Sequence, residues 1–339
     1  MIRVAVIGAG HWGPNLIRNF HSLQSSRVLC VADRDEERLR LVAERLPDVE
    51  VTSNVARVLE NPEIEAVVIA TPTVTHAELT KAALENGKHV LVEKPITDST
   101  EEGQQLCDLA ARSGLVLMVG HVFVHNPAVQ EVRARLNAGE LGRVHYVSCV
   151  RTNLGPIRID VNAAWDLASQ DVSIVNYWLD SPPLTASAVG GSWVNPGVED
   201  AVFITLRYPQ DILTHIHVSW LNPRKIRDIT VVGEKKMLTY DDMHAAEPLR
   251  IYDKRVTDQQ TQVDYVDTLA SFRASICEGS IVIPRVAMGE PLKNECQHFL
   301  QCISEGRPPL TGGPEGVGVV RVLTAIQRSM AQGGREEKV

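Results

Sequence analysis

The sequence predicts an α/β fold in two parts, a doubly wound parallel sheet at the N-terminus and then an α+β domain with a largely antiparallel open sheet. Two patterns carry this expectation. Over roughly the first 120 residues, short β-branched runs alternate with longer stretches of helical periodicity, as in a parallel sheet joined by crossover helices. After Gly142, strand-like runs follow one another across short turns, which suits antiparallel neighbours. The boundaries drawn are 1–122 for the first domain and 123–332 for the second, whose last helix is a candidate to pack back on the first, with 333–339 a frayed tail.

In chain order, the strands of the first domain are Arg3–Ile7, Val28–Ala32, Ala66–Ala70, His89–Val92 and Val116–Val119. Between them Pro14–Phe20, Asp35–Leu46, His76–Asn86 and Thr100–Ser113 carry helical spacing, and Asn86-Gly87 and Ser113-Gly114 supply stops. The second domain reads as strands at Val144–Val150, Thr185–Trp193, Ala201–Tyr208, Ile212–Trp220, Ile226–Gly233 and Lys236–Tyr240. A helix at Ala164–Leu179 interrupts them, and helices at Glu290–Glu305 and Pro314–Ala331 close the chain. Residues 253–289 are polar and aperiodic, and are expected to form a long loop or arm.

Composition sets outer limits. A chain of 339 residues, 44% of them hydrophobic, can bury a large core. With 34 basic against 42 acidic residues the formal charge is −8, so no basic surface is expected for nucleic acid or anionic lipid. Neither a secretory leader nor an apolar run of membrane-spanning length is visible, and a cytoplasmic location is expected. The six cysteines form no C-x-x-C pair and read as free thiols. Trp178, Trp193 and Trp220 are accounted for by core packing.

The first strand runs into Gly8-Ala9-Gly10-His11-Trp12-Gly13, a G-x-G-x-x-G between a strand and a helix. The glycines permit the turn and let the backbone approach a pyrophosphate, which then faces the helix N-terminus. Asp33 lies 20 residues past Gly13 at the end of the second strand, where a carboxylate binds both ribose hydroxyls of a dinucleotide. A carboxylate there repels a 2′-phosphate, which favours NAD; the adjacent Arg34 keeps NADP as the lesser alternative. Thr71-Pro72 follows the third strand as a loop under the cofactor, with His76 starting the next helix. Glu93-Lys94-Pro95 ends the fourth strand and places Lys94 in the same crevice.

With these motifs in this order and spacing, and a mixed second domain after them, the chain resembles the Gfo/Idh/MocA (glucose-fructose oxidoreductase / inositol dehydrogenase) family over nearly its full length. The resemblance implies an NAD(P)-dependent oxidoreductase acting on CH–OH, with a Rossmann domain and a sheet domain whose open face packs in homodimers or homotetramers. It also implies that Lys94 touches the nicotinamide ribose and the reacting hydroxyl. Its second signature is D-x-x-x-H, in which the aspartate contacts substrate and the histidine shuttles a proton. Asp166 matches, and in a helix Gln170 shares its face, but Gln170 stands in the histidine's place and an amide has no usable pKa for base catalysis.

Three readings follow. Lys94 acts alone as base while Gln170 orients the substrate; His121, His125 or Tyr177 replaces the histidine; or the protein is a catalytically impaired NAD and ligand sensor. Arg151, Asn153 and Arg158 lie upstream of the helix and are candidates to meet a substrate phosphate or carboxylate, with solvated loop charges as the plain alternative. His121 is a substrate-binding candidate beside a packing reading. The Gly10-His11-Trp12-Gly13-Pro14-Asn15 start, Asn153-Leu154-Gly155 and Trp165-Asp166-Leu167 look most like the branch that oxidises nucleotide-linked amino sugars at C3. The expected substrate is therefore a UDP-linked amino sugar or uronate, with a free sugar or inositol as the runner-up. No metal is expected, since no H-E-x-x-H or paired-carboxylate motif appears.

Overall fold

The computed structural model describes residues 1–256, 276–287 and 289–339. The chain divides into two compact units, Met1–Asn126 with Gly289–Arg321, and Pro127–Met288 with Val322–Val339.

The first unit is built on β1 (Ile2–Ile7), β2 (Ser26–Ala32), β3 (Glu50–Thr52), β4 (Ala66–Ile69), β5 (His89–Glu93) and β6 (Leu117–Gly120). They form one all-parallel sheet in the order β3-β2-β1-β4-β5-β6. Val4–Ile7, Ala66–Ile69 and Val90–Val92 are buried, which explains why these strands are continuous apolar runs rather than alternating ones. The crossovers are α1 (Gly13–Ser22), α2 (Glu36–Arg45), α3 (Val55–Glu60), α4 (His76–Glu85) and α5 (Thr100–Ser113). Asp35 caps α2 through the Glu37 N–H and Ser99 caps α5 through the Glu102 N–H; Gly114, at φ 63, ends α5. The sequence reading missed β3 and α3, although Asn54 caps α3 by accepting from the Ala56 N–H. Late in the chain, α8 (Pro291–Glu305) returns to this unit, with Phe299 edge-on to Phe20 and Glu290 bonding Arg18 and Asn19.

The second unit holds α6 (Pro127–Asn137) and α7 (Ser169–Leu179) and a nine-stranded sheet. Its strands are β7 (Val144–Leu154), β8 (Thr185–Gly191), β9 (Ala201–Arg207), β10 (Leu213–Ser219), β11 (Leu221–Gly233), β12 (Met237–Asp241), β13 (Leu249–Val256), β14 (Ile276–Val282) and β15 (Glu337–Lys338). The order is β14-β13-β12-β11-β7-β10-β9-β8-β15, antiparallel except for the parallel pair β7 and β10. One face buries Val147, Cys149, Ile204, Leu206, Ile216 and Val218, while Tyr146, Phe203 and Leu213 are exposed. Phe203 stacks on His217 at 4.5 Å between ring centroids. On the buried side Trp178 of α7 donates to the Val129 carbonyl and meets Tyr240 edge-on. The last helix, α9 (Gly313–Ala331), has residues in both units.

Three expectations are corrected. The polar stretch taken as an arm contains the end of β13 and all of β14, because an edge strand with one wet face need not look hydrophobic; the rest, 257–275, lies outside the described residues. The expected frayed tail is tied down: β15 pairs β8, and Ser187 donates to the Gly334 carbonyl. Trp193 is 68% exposed rather than a core residue, and lies over Gly191, whereas Trp178 and Trp220 are buried. Five cysteines are free and buried; the side chain of Cys277 lies outside the described residues.

Arg151 of β7 and Asp171 of α7 form a bidentate pair inside this unit, with contacts of 2.6 and 3.0 Å and almost no exposure. Removing one partner strands the other charge in a poorly solvating interior. Asp171→Asn is expected to lower the unfolding free energy by about 3–5 kcal/mol. Urea titration checks this, and a loss below about 1 kcal/mol would show that the pair does not hold α7 to the sheet.

Candidate functional site

The order of the parallel sheet reverses between β1 and β4, and their carboxyl ends open the crevice in which such sheets bind ligands. Gly8 sits there at φ 104, and a Cβ would stand 2.5 Å from the Ala70 carbonyl oxygen. A Cβ on Gly13 would overlap the Gly8 carbonyl, whereas one on Gly10 would meet only the flexible end of Arg38. The turn is therefore closed by glycine at its two ends and open in its middle. No side chain caps α1 at Trp12, Pro14 has no N–H and the Asn15 N–H bonds the Trp12 carbonyl at 3.0 Å; what the helix N-terminus offers an anion is its dipole and the backbone of the bare turn. His11 and Trp12 are exposed beside it.

Asp33 lies against this turn. One carboxylate oxygen accepts from the Ala9 N–H at 2.6 Å and the other from the Asp35 N–H at 2.9 Å. Arg34 points to solvent, and the cation that approaches Asp33 is Arg38, at 3.7 Å. Arg38 was missed by the sequence reading; its signal was its place on the first turn of α2, where its guanidinium also reaches Asp35 at 3.2 Å. Together the bare turn, the uncapped helix and the adjacent carboxylate fit a dinucleotide.

Thr71-Pro72 leaves β4 beside the turn; the Thr75 hydroxyl donates to the Pro72 carbonyl and, having one hydrogen, accepts from the Thr71 hydroxyl. His76 is 1% exposed, its ring between the carbonyls of Thr71 and Pro95. It belongs to the loop framework rather than to an open surface. Lys94 is half-buried at the end of β5, and its backbone N–H faces the Glu93 carboxylate at 3.3 Å. Burial pushes the Glu93 carboxyl up to about 7, against the opposing pull of Lys94, its backbone N–H and the Trp12 indole. Glu295 of α8 is fully buried with no partner for either carboxylate oxygen; burial first, and the charge of Glu93 second, hold it well above the usual carboxylate range.

The histidines considered as substitute bases are poorly tuned for that work. Burial, and then the charge of Lys94, push His121 down to about 3, and neither of its ring nitrogens has a partner. Burial and then His298 and His121 push His125 to about 3 as well; its ring lies tilted against His298, 5.1 Å between centroids, and faces the Thr311 hydroxyl. A base so weak gains little from proton transfer at neutral pH.

In the second unit a π-helical turn, Ala164–Ala168, carries Asp166, and Gln170 lies in the first turn of α7. The segment is thus not the plain α-helix assumed by the i, i+4 argument. Asp166 accepts from the Trp220 indole at 3.1 Å and from Arg158 at 3.1 Å, and Arg158 also pairs with Asp160. The sequence reading assigned Trp220 to core packing and passed over Asp160; Trp220 meets Asp166 only through the fold, and Asp160 is linked to it through Arg158. Gln170 is 8% exposed, and its buried carbonyl oxygen has no partner. Arg151 is committed to Asp171 in the interior, and Asn153 bonds the Gly155 carbonyl at 2.5 Å. The Tyr177 ring lies under Arg133 at 5.6 Å. Among the described residues, no group of three or more His, Cys, Asp or Glu is placed to hold a metal, and no helix is long and apolar enough to cross a membrane.

Comparison with known proteins agrees with this geometry. Residues 2–121 match the oxidoreductase family with an NAD-binding Rossmann fold, and residues 129–239 match the GFO/IDH/MocA C-terminal domain. The scyllo-inositol 2-dehydrogenase (NAD(+)) of Bacillus subtilis is 26% identical over 322 residues, covering 91% of this chain and 88% of that protein. The UDP-N-acetylglucosamine 3-dehydrogenase of Acidithiobacillus ferrooxidans is 33% identical over 195 residues, 56% of this chain and 58% of that protein. A crystal form of the latter superposes with a TM-score of 0.83 at 24% identity, covering 98% of both chains. GenD2 from gentamicin A biosynthesis, solved with NAD, gives 0.81 at 24% identity over 100% of this chain and 96% of its own.

The raised Glu93 carboxyl has a stability consequence. Its folded form binds a proton more tightly than the unfolded form, so its contribution is full below about 4.5 and is lost as pH rises through about 7. Glu93→Gln is expected to flatten the fall in unfolding free energy between about pH 5 and pH 8 by roughly 1–3 kcal/mol. Denaturant titrations at both pH values check it; an unchanged slope would place the pH dependence elsewhere.

Proposed function

Because the chain belongs to the Gfo/Idh/MocA oxidoreductase family, we propose that it is an NAD-dependent dehydrogenase that removes hydride from a secondary hydroxyl of a sugar. The observation that carries this reading is the convergence of the glycine turn, the Thr71 loop and Lys94 at the carboxyl ends of the adjacent strands β1, β4 and β5. Bound there, the nicotinamide supplies the hydride acceptor. Preference for NAD over NADP is supported by Asp33, whose charge opposes a 2′-phosphate next to the turn, with Arg38 as a partial counterweight.

Lys94 takes the hydroxyl proton as its neutral amine. Half-burial and the low pKa of the neighbouring histidines leave it the better base among the candidates. Asp166, oriented by Trp220 and Arg158, holds a neighbouring substrate hydroxyl. Gln170 supplies a buried carbonyl acceptor for another hydroxyl and carries no proton. Arg151 drops out of the substrate contacts in this reading, since its guanidinium neutralises Asp171; Arg158 and Asn153 remain.

For the substrate, C3 of a UDP-linked amino sugar or uronate is favoured by the 33% identity to a dehydrogenase named for that chemistry. A free inositol or sugar is the second reading, favoured by the inositol dehydrogenase that aligns over 91% of the chain. The exposed aromatic face of the nine-stranded sheet supports self-association as a dimer or tetramer.

Appearance of the NADH absorbance band with NAD and a panel of UDP-amino sugars, UDP-uronates and inositols tests the reading. Lys94→Ala is expected to lower kcat by about 10²–10⁴-fold. Gln170→His is expected to change the pH profile without being needed for turnover. Full kcat in Lys94→Ala removes the lysine from the chemistry, and NAD binding without turnover of any panel member favours a sensor.

A further inference from the structure

His76 starts α4, yet its ring is buried rather than presented to the crevice. Its Nδ1 lies 2.7 Å from the Pro95 carbonyl oxygen and its Nε2 lies 2.9 Å from the Thr71 carbonyl oxygen. Both partners are acceptors only. A neutral imidazole has one N–H and one lone pair, so it can satisfy one of these carbonyls while its lone pair faces the other. Both contacts are hydrogen bonds only when the ring carries two protons. The two carbonyls belong to the two loops on which the site depends, Thr71-Pro72 after β4 and Lys94-Pro95 after β5.

We propose that His76 is a positioning residue whose protonation ties these loops together: the imidazolium bonds both Thr71 and Pro95, and the neutral ring releases one of them. The inference rests on the reading of the Thr71 loop and Lys94 as cofactor-binding and catalytic elements. Burial, the largest influence, lowers the His76 pKa from its ordinary value, while the two carbonyls and then Asp98 pull it back. Other charged or titratable groups on the surrounding elements are Glu78, Lys81 and Glu85 along α4, His89 and Glu93 on β5, Lys94 before Pro95, and Glu101, Glu102, Cys107, Asp108 and Arg112 on α5; the Thr71–Thr75 segment has no ionisable side chain. The tie therefore closes as pH falls and opens as it rises through the folded pKa.

Two measurements test this on the full chain. Long-range imidazole ¹⁵N spectra followed from alkaline pH down to the acid limit of folding are expected to show His76 pass from one protonated nitrogen to two, with the Thr71 and Ile96 amide shifts moving in step. NADH affinity, read by fluorescence, is expected to tighten about three- to tenfold as the ring gains its second proton, the worth of one net hydrogen bond. His76→Asn, whose amide donates but does not titrate, is expected to bind NADH with that pH step flattened. A step that persists unchanged in His76→Asn overturns the proposal, as does a ring that titrates without any movement at Thr71 and Ile96. If NADH does not bind at all, the cofactor reading fails, and the imidazole spectra still decide the tie. Should His76→Asn not fold, the wild-type spectra and affinity profile decide it.

Discussion

The turn from β1 into α1 passes so close to the end of β4 that no Cβ can stand at Gly8. Much else at the site depends on that contact. It lets the Ala9 N–H reach Asp33 and leaves the α1 N-terminus without a side-chain cap. The Gly8 N–H bonds Ala32 at the end of β2, and the Ala70 N–H bonds Ile7 at the end of β1, so three strand ends are held around one bare turn. The shape that admits a pyrophosphate is thus the same shape that closes the sheet at its topological switch point.

Charge placement around Lys94 is governed by burial. Glu93 and Glu295 are carboxyls in an environment that favours their neutral forms, and His121 and His125 are imidazoles held neutral by the same effect. The oxygens of Glu295 and the nitrogens of His121 are buried polar atoms without a hydrogen-bond partner among the described residues.

In the second unit the same residue types serve two purposes. The Arg151–Asp171 pair is interior and bidentate, a structural contact between strand and helix. The Arg158–Asp166 contact is partly exposed, and Asp166 is further fixed by the Trp220 indole. Both arginines lie shortly upstream of the helix in sequence, and burial alone separates their roles. The π turn that carries Asp166 ends two residues before Gln170. Such turns interrupt regular helix pairing and are frequent at functional sites.

The alternation of β-branched runs with helical periods was enough to predict the parallel sheet, because strands buried on both faces must be continuously apolar and their crossovers must be amphipathic. The G-x-G-x-x-G turn was legible for a similar reason, since at Gly8 and Gly13 the backbone approaches too closely to leave room for a Cβ. Short elements such as β3 and α3 carry too little periodicity to be seen, and β14 and β15 are edge strands whose formation depends on neighbours distant in the chain. Side-chain partners were decided by the tertiary structure alone. Arg38 rather than Arg34 faces Asp33, Arg151 turns inward to Asp171, and His76 bridges two carbonyls 19 and 5 residues away. Local sequence determines which residues can form a strand, a turn or a helix; which atom meets which depends on packing between segments that the sequence keeps apart.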